Sequence, residues 1–489
     1  MKDQYLSRSI SLMSMQRRKI AIIGGGITGL STAYFLQEKA REKSREIECL
    51  LIEGENRLGG KIRSERIHDF IIEGGPDSFI TQKKWGVELC RRLDLSKKFV
   101  QTHPVEKSIY ILSNGKLVPM PEGFNLMIPS RLVPFALTPL ISLPGKIRMG
   151  MDLLISKNNS AEDESIASFV RRRLGEEAVR TFAEPILGGI FAGDAEKLSI
   201  KASFPQFLAL EKKYGSLIRG MWLRQRETAK KDIPKPELSL FVTLKEGLSS
   251  LVTSIQNRLK EVSIVSGNPV TRVVPIKNQY EIVVGDERHL VDGVVITTKT
   301  TTAADWVEKW DASLASQLRE ISYVSTATVS LGFRKDQVDH PLNGFGFVVP
   351  RGENRSINAA TWSSTKFPGR APEGHVLIRT FLGGAHQQDL IDLDDSSLIS
   401  VVREDLKDIM GIDAQPVVAR AFRWIKASPQ YHIGHLDRVS RIEAQTQKHA
   451  GLFLVGAAYR GVGIPDCIAQ AHETAGKILE WISTEDAAK

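Results

Sequence analysis

One run of glycines constrains the fold more than any other part of the chain. Residues 19–23 (KIAII) are apolar and β-rich, residues 24–29 read GGGITG, residues 30–41 carry an amphipathic helical pattern, and residues 48–53 (ECLLIE) form a second strand. Strand, glycine turn, helix and strand make a βαβ unit. Its glycines tighten the turn and let the backbone approach a diphosphate, while the helix N-terminus offers free N–H groups and a positive dipole end. Gly24, Gly25, Gly26, Ile27, Thr28 and Gly29 are therefore the candidate phosphate cradle. Glu53 ends the second strand, where a carboxylate accepts ribose hydroxyls and repels a 2′-phosphate. An isolated glycine fingerprint is weak, but flanked by the right strand, helix and acid it specifies a dinucleotide site.

Where a nicotinamide domain would run into another crossover helix, two more loops follow, residues 54–64 (GENRLGGKIRS) and residues 71–78 (IIEGGPDS). Two loops beside the pyrophosphate favour FAD, and the loop beginning at Gly75 can bring backbone donors toward the nucleotide. For Lys61 and Arg63 two readings stay open, phosphate neutralisation and solvated loop cations. Asp77 and Ser78 equally suit caps of a following helix.

A chain of 489 residues exceeds one typical domain. Residues 1–18 read as an N-terminal tail, 19–100 as the first part of an FAD-binding domain, and 101–235 as a mostly helical substrate lobe. Short strands are expected there at 108–112 and 116–119, helices at 165–174 and 178–187, and a polar surface loop at 219–236. Residues 236–320 read as a second part of the FAD-binding domain, with a β meander over 262–291 and a strand at 293–297 that re-enters a central sheet. Residues 321–425 return to the substrate lobe as a mixed sheet with a helix at 394–410. The third FAD-binding part, 426–489, holds a strand at 451–456, a glycine turn at 457–465 and a helix at 466–481. The expected class is α/β, a Rossmann-like FAD/NAD(P)-binding fold with a discontinuous α+β substrate-binding domain. Closure sets the last helix N-terminus beside the first, which adds Val462, Gly463 and Ile464 to the cradle, and substrate is expected in the crevice between the lobes.

Composition narrows the partners. Against 57 acidic residues stand 66 basic ones, a net charge of +9 spread thinly along the chain, so an anionic small molecule suits it better than a nucleic acid. Cys49, Cys90 and Cys467 are odd in number and far apart, which supports neither a disulfide framework nor a cysteine-rich metal site. Residues 1–19 lack the apolar core of a secretion signal. In the apolar window 126–143, Pro129, Pro134 and Pro139 break any continuous span. It reads either as a buried wall or as a wall facing a hydrophobic ligand or a membrane surface, with Lys146 and Arg148 near its edge.

The segments IAIIGGGITGLSTAYFL, RLGGKIRS, EGGPDSF, EPILGGIFAGD, WIKASPQYHIGH and GVGIPDCI together resemble porphyrinogen oxidases of the flavin amine oxidase superfamily, from about Lys19 to Trp481. Within that family, PQYHIGH and GIPDCI are most similar to the coproporphyrinogen III oxidases of Gram-positive bacteria. The resemblance implies one noncovalent FAD held by Gly24, Gly25, Gly26, Ile27, Thr28, Gly29, Glu53, Gly54, Lys61, Gly75, Pro76, Asp77, Ser78, Val270, Trp424, Val462, Gly463 and Ile464. Core packing remains the alternative for Val270 and for Trp424, placed just past a strand. Relatives that bind flavin covalently use a cysteine with no counterpart at 457–460, and Cys467 lies beyond the turn in a helix. Lys61 stands where the family often has arginine, keeping charge without the bidentate fork.

The implied reaction removes six electrons from coproporphyrinogen III through FAD to O2, giving coproporphyrin III and H2O2 in haem biosynthesis, without a metal. Flavin N5 carries the chemistry, so no catalytic side chain is assigned, and Tyr431, His432 and His435 are expected to be structural or pocket-lining. Lys83 matches a family position near a propionate, and Lys84, Arg148, Arg180 and Arg219 are further cations for a tetracarboxylate. Protoporphyrinogen IX is the alternative substrate; an amine oxidase, a carotenoid desaturase and a noncatalytic porphyrin binder are the other classes weighed. The expected location is the cytoplasm, with a peripheral contact at the inner membrane face or with a haem-pathway enzyme left open.

Overall fold

The computed structural model describes residues 17–104, 108–125, 127–158, 160, 162–230 and 237–487. Nearly all of the expected tail at 1–18 lies outside the described residues, as do Leu126 of the apolar window and residues 231–236 of the polar stretch. The chain separates into two compact units, one of Met1–Gly60, Val252–Arg319 and Arg441–Lys489, the other of Lys61–Leu251 and Glu320–Ser440.

The first unit is built on a five-stranded parallel sheet in the order Val262–Ser266, Ile47–Glu53, Arg18–Ile23, Gly293–Ile296, Leu452–Leu454. Its inner strands centre on the apolar runs IAII, CLLI and GVVI, as a parallel sheet covered on both faces requires, and Ile20, Ala21, Ile22, Leu51, Val294 and Val295 are fully buried. Helix Ile27–Glu42 packs against helix Ile464–Ala487. The first of these is buried over most of its surface, so it is a core helix rather than the amphipathic one its pattern suggested. Strands Val270–Ile276, Gln279–Val284 and Glu287–Val291 form a separate antiparallel sheet. The expected meander is these three alone, because Val262–Ser266 pairs in parallel with Ile47–Glu53 in the main sheet.

In the second unit a seven-stranded sheet runs Val418–Pro429, Tyr323–Arg334, His375–Gly383, Ala359–Trp362, Gly346–Val348, Ile109–Ser113, Lys116–Pro119. Both excursions of the sequence thus enter one sheet, joined where Gly346–Val348 pairs in parallel with Ile109–Ser113. Helix Asp395–Met410, capped by Asp394, packs on this sheet around Leu398, Val402 and Leu406. A second core, centred on Phe169, Phe182, Leu187 and Leu210, fills the helical part.

Three local features differ from expectation. Residues 217–230 form a helix rather than the surface loop expected at 219–236: Ser216 Oγ accepts the Arg219 N–H at 3.1 Å as a cap, Leu217 and Ile218 are buried, and the polar residues make an outer face. Asp77 and Ser78 cap no helix, since strand Phe79–Ile80 follows them and helix Lys84–Arg92 begins after Lys83. Trp424 lies inside strand Val418–Pro429, just before an irregularity where the register to the neighbouring strand shifts between Val324 and Thr326.

Candidate functional site

The glycine turn of the first unit is held from three sides. Gly24 N–H donates to Ile52 O at 2.8 Å, Gly25 N–H to Glu53 Oε2 at 2.7 Å, and Thr297 Oγ1 to Gly24 O at 2.9 Å. Gly29 has no room for a side chain, since a Cβ there would lie 1.8 Å from Gly24 O. The second glycine cluster braces the first, with Gly59 N–H donating to Gly25 O at 2.8 Å. Gly54 packs against Pro269, 3.3 Å from where its Cβ would stand. Gly26 differs, because a Cβ built on it meets nothing within 4 Å. It is also the N-cap of helix Ile27–Glu42, makes no side-chain cap bond, and the first turn holds no acidic residue. An open glycine face at a helix start that no side chain caps fits the diphosphate of a dinucleotide.

Glu53 already accepts from Gly25 N–H and, at 3.0 Å, from Glu55 N–H, which orients its carboxylate while leaving lone pairs for a ribose. Val270 is buried at the start of its strand and pairs with Val284 across a bulge. At the other end of the unit, Gly461 has φ 133° and packs on Asp466, and helix Ile464–Ala487 starts at Ile464, two residues before the expected start. Cys467 is buried inside that helix.

Lys61, Gly75, Pro76, Asp77, Ser78 and Trp424 belong to the second unit. Gly74 N–H donates to Arg63 O at 2.7 Å, and a Cβ on Gly75 would strike Lys61 O at 1.8 Å, so the 61–63 and 74–75 segments lie against each other. The Gly74 carbonyl accepts from Trp424 Nε1 at 2.9 Å and Thr328 Oγ1 at 3.0 Å. Asp77 accepts from Lys366 Nζ at 3.1 Å and Ser78 Oγ at 2.7 Å, and Arg379 donates to the Gly75 carbonyl. Burial pushes the Asp77 carboxyl up, but Lys366 and Arg379 outweigh it and hold the group well below the usual carboxylate range. Glu73 goes the other way, pushed up by burial against the opposing charge of Arg370 and the bonds from Ser64 Oγ and Leu248 N–H.

The flavin-containing amine oxidoreductase family matches residues 27–479. The chain belongs to this family. Over 96% of its length it is 37% identical to the whole of coproporphyrinogen III oxidase from Bacillus subtilis. It is 32% identical over 94% of its length to protoporphyrinogen oxidase 1, chloroplastic, from Spinacia oleracea, covering 84% of that protein. A solved Exiguobacterium sp. 255-15 protein assigned to protoporphyrinogen oxidation superposes with a TM-score of 0.85 at 31% identity, covering 96% of this chain and all of that one.

As a flavin-containing amine oxidoreductase, the chain has an α/β FAD-binding fold and FAD as its cofactor. Sequence alone does not single out several residues around the candidate contacts. Thr297, Thr328, Lys366 and Arg379 all bond main-chain or side-chain atoms of the expected contact loops. Arg379 had a signal, a lone cation inside the apolar strand His375–Gly383 (HVLIRTFLG). The other three needed tertiary contacts to be noticed.

Among the expected propionate cations, Lys83 is exposed at the start of helix Lys84–Arg92, and Lys84 Nζ lies 5.4 Å from the Trp85 ring. Arg148 donates to the carbonyls of Arg171, Arg172 and Arg173, at 2.9 to 3.2 Å, and so caps helix Ile166–Leu174. Arg180 pairs with Glu176, and Arg219 is exposed on its helix. Arg63 pairs with Glu65 and covers the Phe422 ring at 5.2 Å. In PQYHIGH, buried Tyr431 and His435 stack at 3.9 Å, and burial with the charges of Lys197 and Arg438 pulls the His432 imidazole down.

Proposed function

We propose that this flavoprotein is an oxygen-dependent coproporphyrinogen III oxidase of haem biosynthesis. The observation that carries the reading is the end-to-end similarity to the Bacillus subtilis enzyme of that name, which leaves no lobe unmatched. Bound FAD supplies the redox chemistry: three two-electron rounds take coproporphyrinogen III and three O2 to coproporphyrin III and three H2O2. We assign its diphosphate to the backbone of Gly24, Gly25, Gly26, Ile27, Thr28 and Gly29 and its ribose to Glu53. Gly54, Lys61, Val270, Val462, Gly463 and Ile464 complete the assignment, together with Gly75, Pro76, Asp77, Ser78 and Trp424.

We propose that the cofactor is held without a covalent link, since residues 457–460 carry no cysteine and Cys467 is buried within a helix. No catalytic acid or base is assigned, and Lys83 is the proposed propionate contact. Initial rates of fluorescence growth with coproporphyrinogen III and protoporphyrinogen IX at equal enzyme test the substrate. A clear preference for protoporphyrinogen IX overturns it in favour of the alternative oxidase.

A peripheral membrane contact has its own support. No helix among the described residues is long and apolar enough to cross a membrane. Yet Val133 and Leu137 on helix Leu132–Leu137, Leu143 and Ile147 on helix Leu143–Gly150, and Leu154 beyond them are all exposed, Leu137 at 78% and Leu154 at 83%, and Lys146 Nζ ties the two helices together by donating to Ala136 O at 2.7 Å. Met127, Ile128, Phe135, Leu140 and Ile141 are buried, so the apolar window is part wall and part surface. Such a patch suits the inner face of the cell membrane, with the protein otherwise in the cytoplasm. Sedimentation with anionic vesicles tests it: Leu137→Asp/Leu154→Asp should abolish co-sedimentation, and equal binding by that variant contradicts it.

A further inference from the structure

Around the loop from Gly74 to Ser78 lies a group of charges for which cofactor contact alone gives no reason. Arg379 is 3% exposed; its guanidinium donates to the Gly75 carbonyl and lies 4.8 Å from the Phe381 ring, while its buried Nε has no hydrogen-bond partner among the described residues. Lys366 bonds Asp77 and is 5.1 Å from the Phe367 ring. Glu73 and Arg370, each 3% exposed in its side chain, stand 3.7 Å apart. Burying a charge is costly unless it is paired, and apolar residues brace a loop at lower cost. Yet the positive Lys366, Arg370 and Arg379 outnumber the negative Glu73 and Asp77, leaving one cation in excess.

We propose that Lys366 and Arg379 are positioning residues that hold the Gly75–Ser78 backbone for the flavin and keep excess positive charge behind it, easing the cofactor's gain of electrons. The proposal rests on the reading that this loop touches FAD. A buried positive charge stabilises added negative charge nearby, and does so more strongly than in water. It therefore makes a signed prediction that a loop brace of purely structural value does not.

The test is the midpoint potential of bound FAD by spectroelectrochemistry in the wild type, Lys366→Met, Lys366→Arg and Asp77→Asn. Loss of the lysine charge should move the potential negative, loss of the aspartate charge should move it positive, and Lys366→Arg should restore the wild-type value. Potentials that do not move, or that move in the same direction in Lys366→Met and Asp77→Asn, overturn the proposal. Should Lys366→Met fail to hold FAD, Asp77→Asn decides alone: a positive shift supports the proposal and any other result overturns it. Failure of the wild type to bind FAD at all would instead defeat the cofactor reading itself.

Discussion

The indole Nε1 of Trp424 donates a hydrogen bond to the carbonyl oxygen of Gly74 at 2.9 Å. Thr328 Oγ1 donates to the same oxygen at 3.0 Å, so the carbonyl keeps one partner when the indole is removed. Trp424→Phe should therefore cost about 1 kcal/mol, the usual net worth of one hydrogen bond, rather than the larger penalty of an orphaned buried acceptor. The urea midpoint of the apoprotein, at unchanged slope, measures this apart from any change in flavin affinity. No change in midpoint would show that the bond does not hold the loop.

Two glycines of one turn should respond differently to the same added methyl group. At Gly29 a Cβ lies 1.8 Å from Gly24 O, so Gly29→Ala must displace backbone and should lower both stability and flavin content. At Gly26 nothing lies within 4 Å of the Cβ. Gly26→Ala should leave the apoprotein melting temperature nearly unchanged but weaken FAD at least about 10-fold, or about 1.4 kcal/mol. Titration of the two apoproteins with FAD, alongside thermal melts, separates the outcomes; wild-type affinity in Gly26→Ala would place the diphosphate elsewhere.

The centre of the parallel sheet and its glycine turn are legible because their signals are local. Apolar strands, a glycine turn and Glu53 all fall within residues 18–53, and the strand at Gly293–Ile296 announced itself as an uninterrupted apolar run. Misreadings arose where a local pattern competes with distant partners. Residues 219–230 look like a solvated loop until Ser216 is seen to cap them and Asp152 to anchor Ile218 N–H at 3.0 Å. Asp77 resembles a helix cap until Lys366, far along the chain, takes its carboxylate. Arg148 resembles a propionate cation until three carbonyls of helix Ile166–Leu174 claim it.

The helical core of the second unit holds a pair that sequence gave no reason to single out. Arg173 and Asp152 are both fully buried; Arg173 Nε donates to Asp152 Oδ1 at 2.6 Å, and Asp152 Oδ2 accepts from Ser216 Oγ at 2.6 Å. Removing Asp152 takes the nearest counter-charge from Arg173 and leaves it Glu211 at 3.5 Å, so Asp152→Ala should cost about 3 kcal/mol, the lower end for a broken buried pair. Chemical denaturation of the variant checks it. A loss below about 1 kcal/mol, the level of an exposed pair, would contradict a desolvated pair.

His340 makes the fold sensitive to mild acid. Its Nδ1 accepts the Leu342 N–H at 3.1 Å, its ring lies 4.9 Å from that of Trp362, and burial pulls its imidazole below the usual value. The folded state thus refuses a proton that the unfolded chain takes up below about pH 6.5. The unfolded state binds more protons there, so stability is fully present above that pH and falls as pH drops toward the depressed folded value. His386 and His432 are pulled down too and add to the slope. Urea midpoints from pH 7.5 downward should decline, and His340→Gln should decline less; identical slopes would remove His340 from the account.

Anaerobic mixing of the purified flavoprotein with coproporphyrinogen III tests the central claim most directly. The account predicts that flavin absorbance bleaches as coproporphyrin III forms, and that admitting O2 restores the flavin spectrum with release of H2O2. A flavin that stays oxidised under excess coproporphyrinogen III would contradict it.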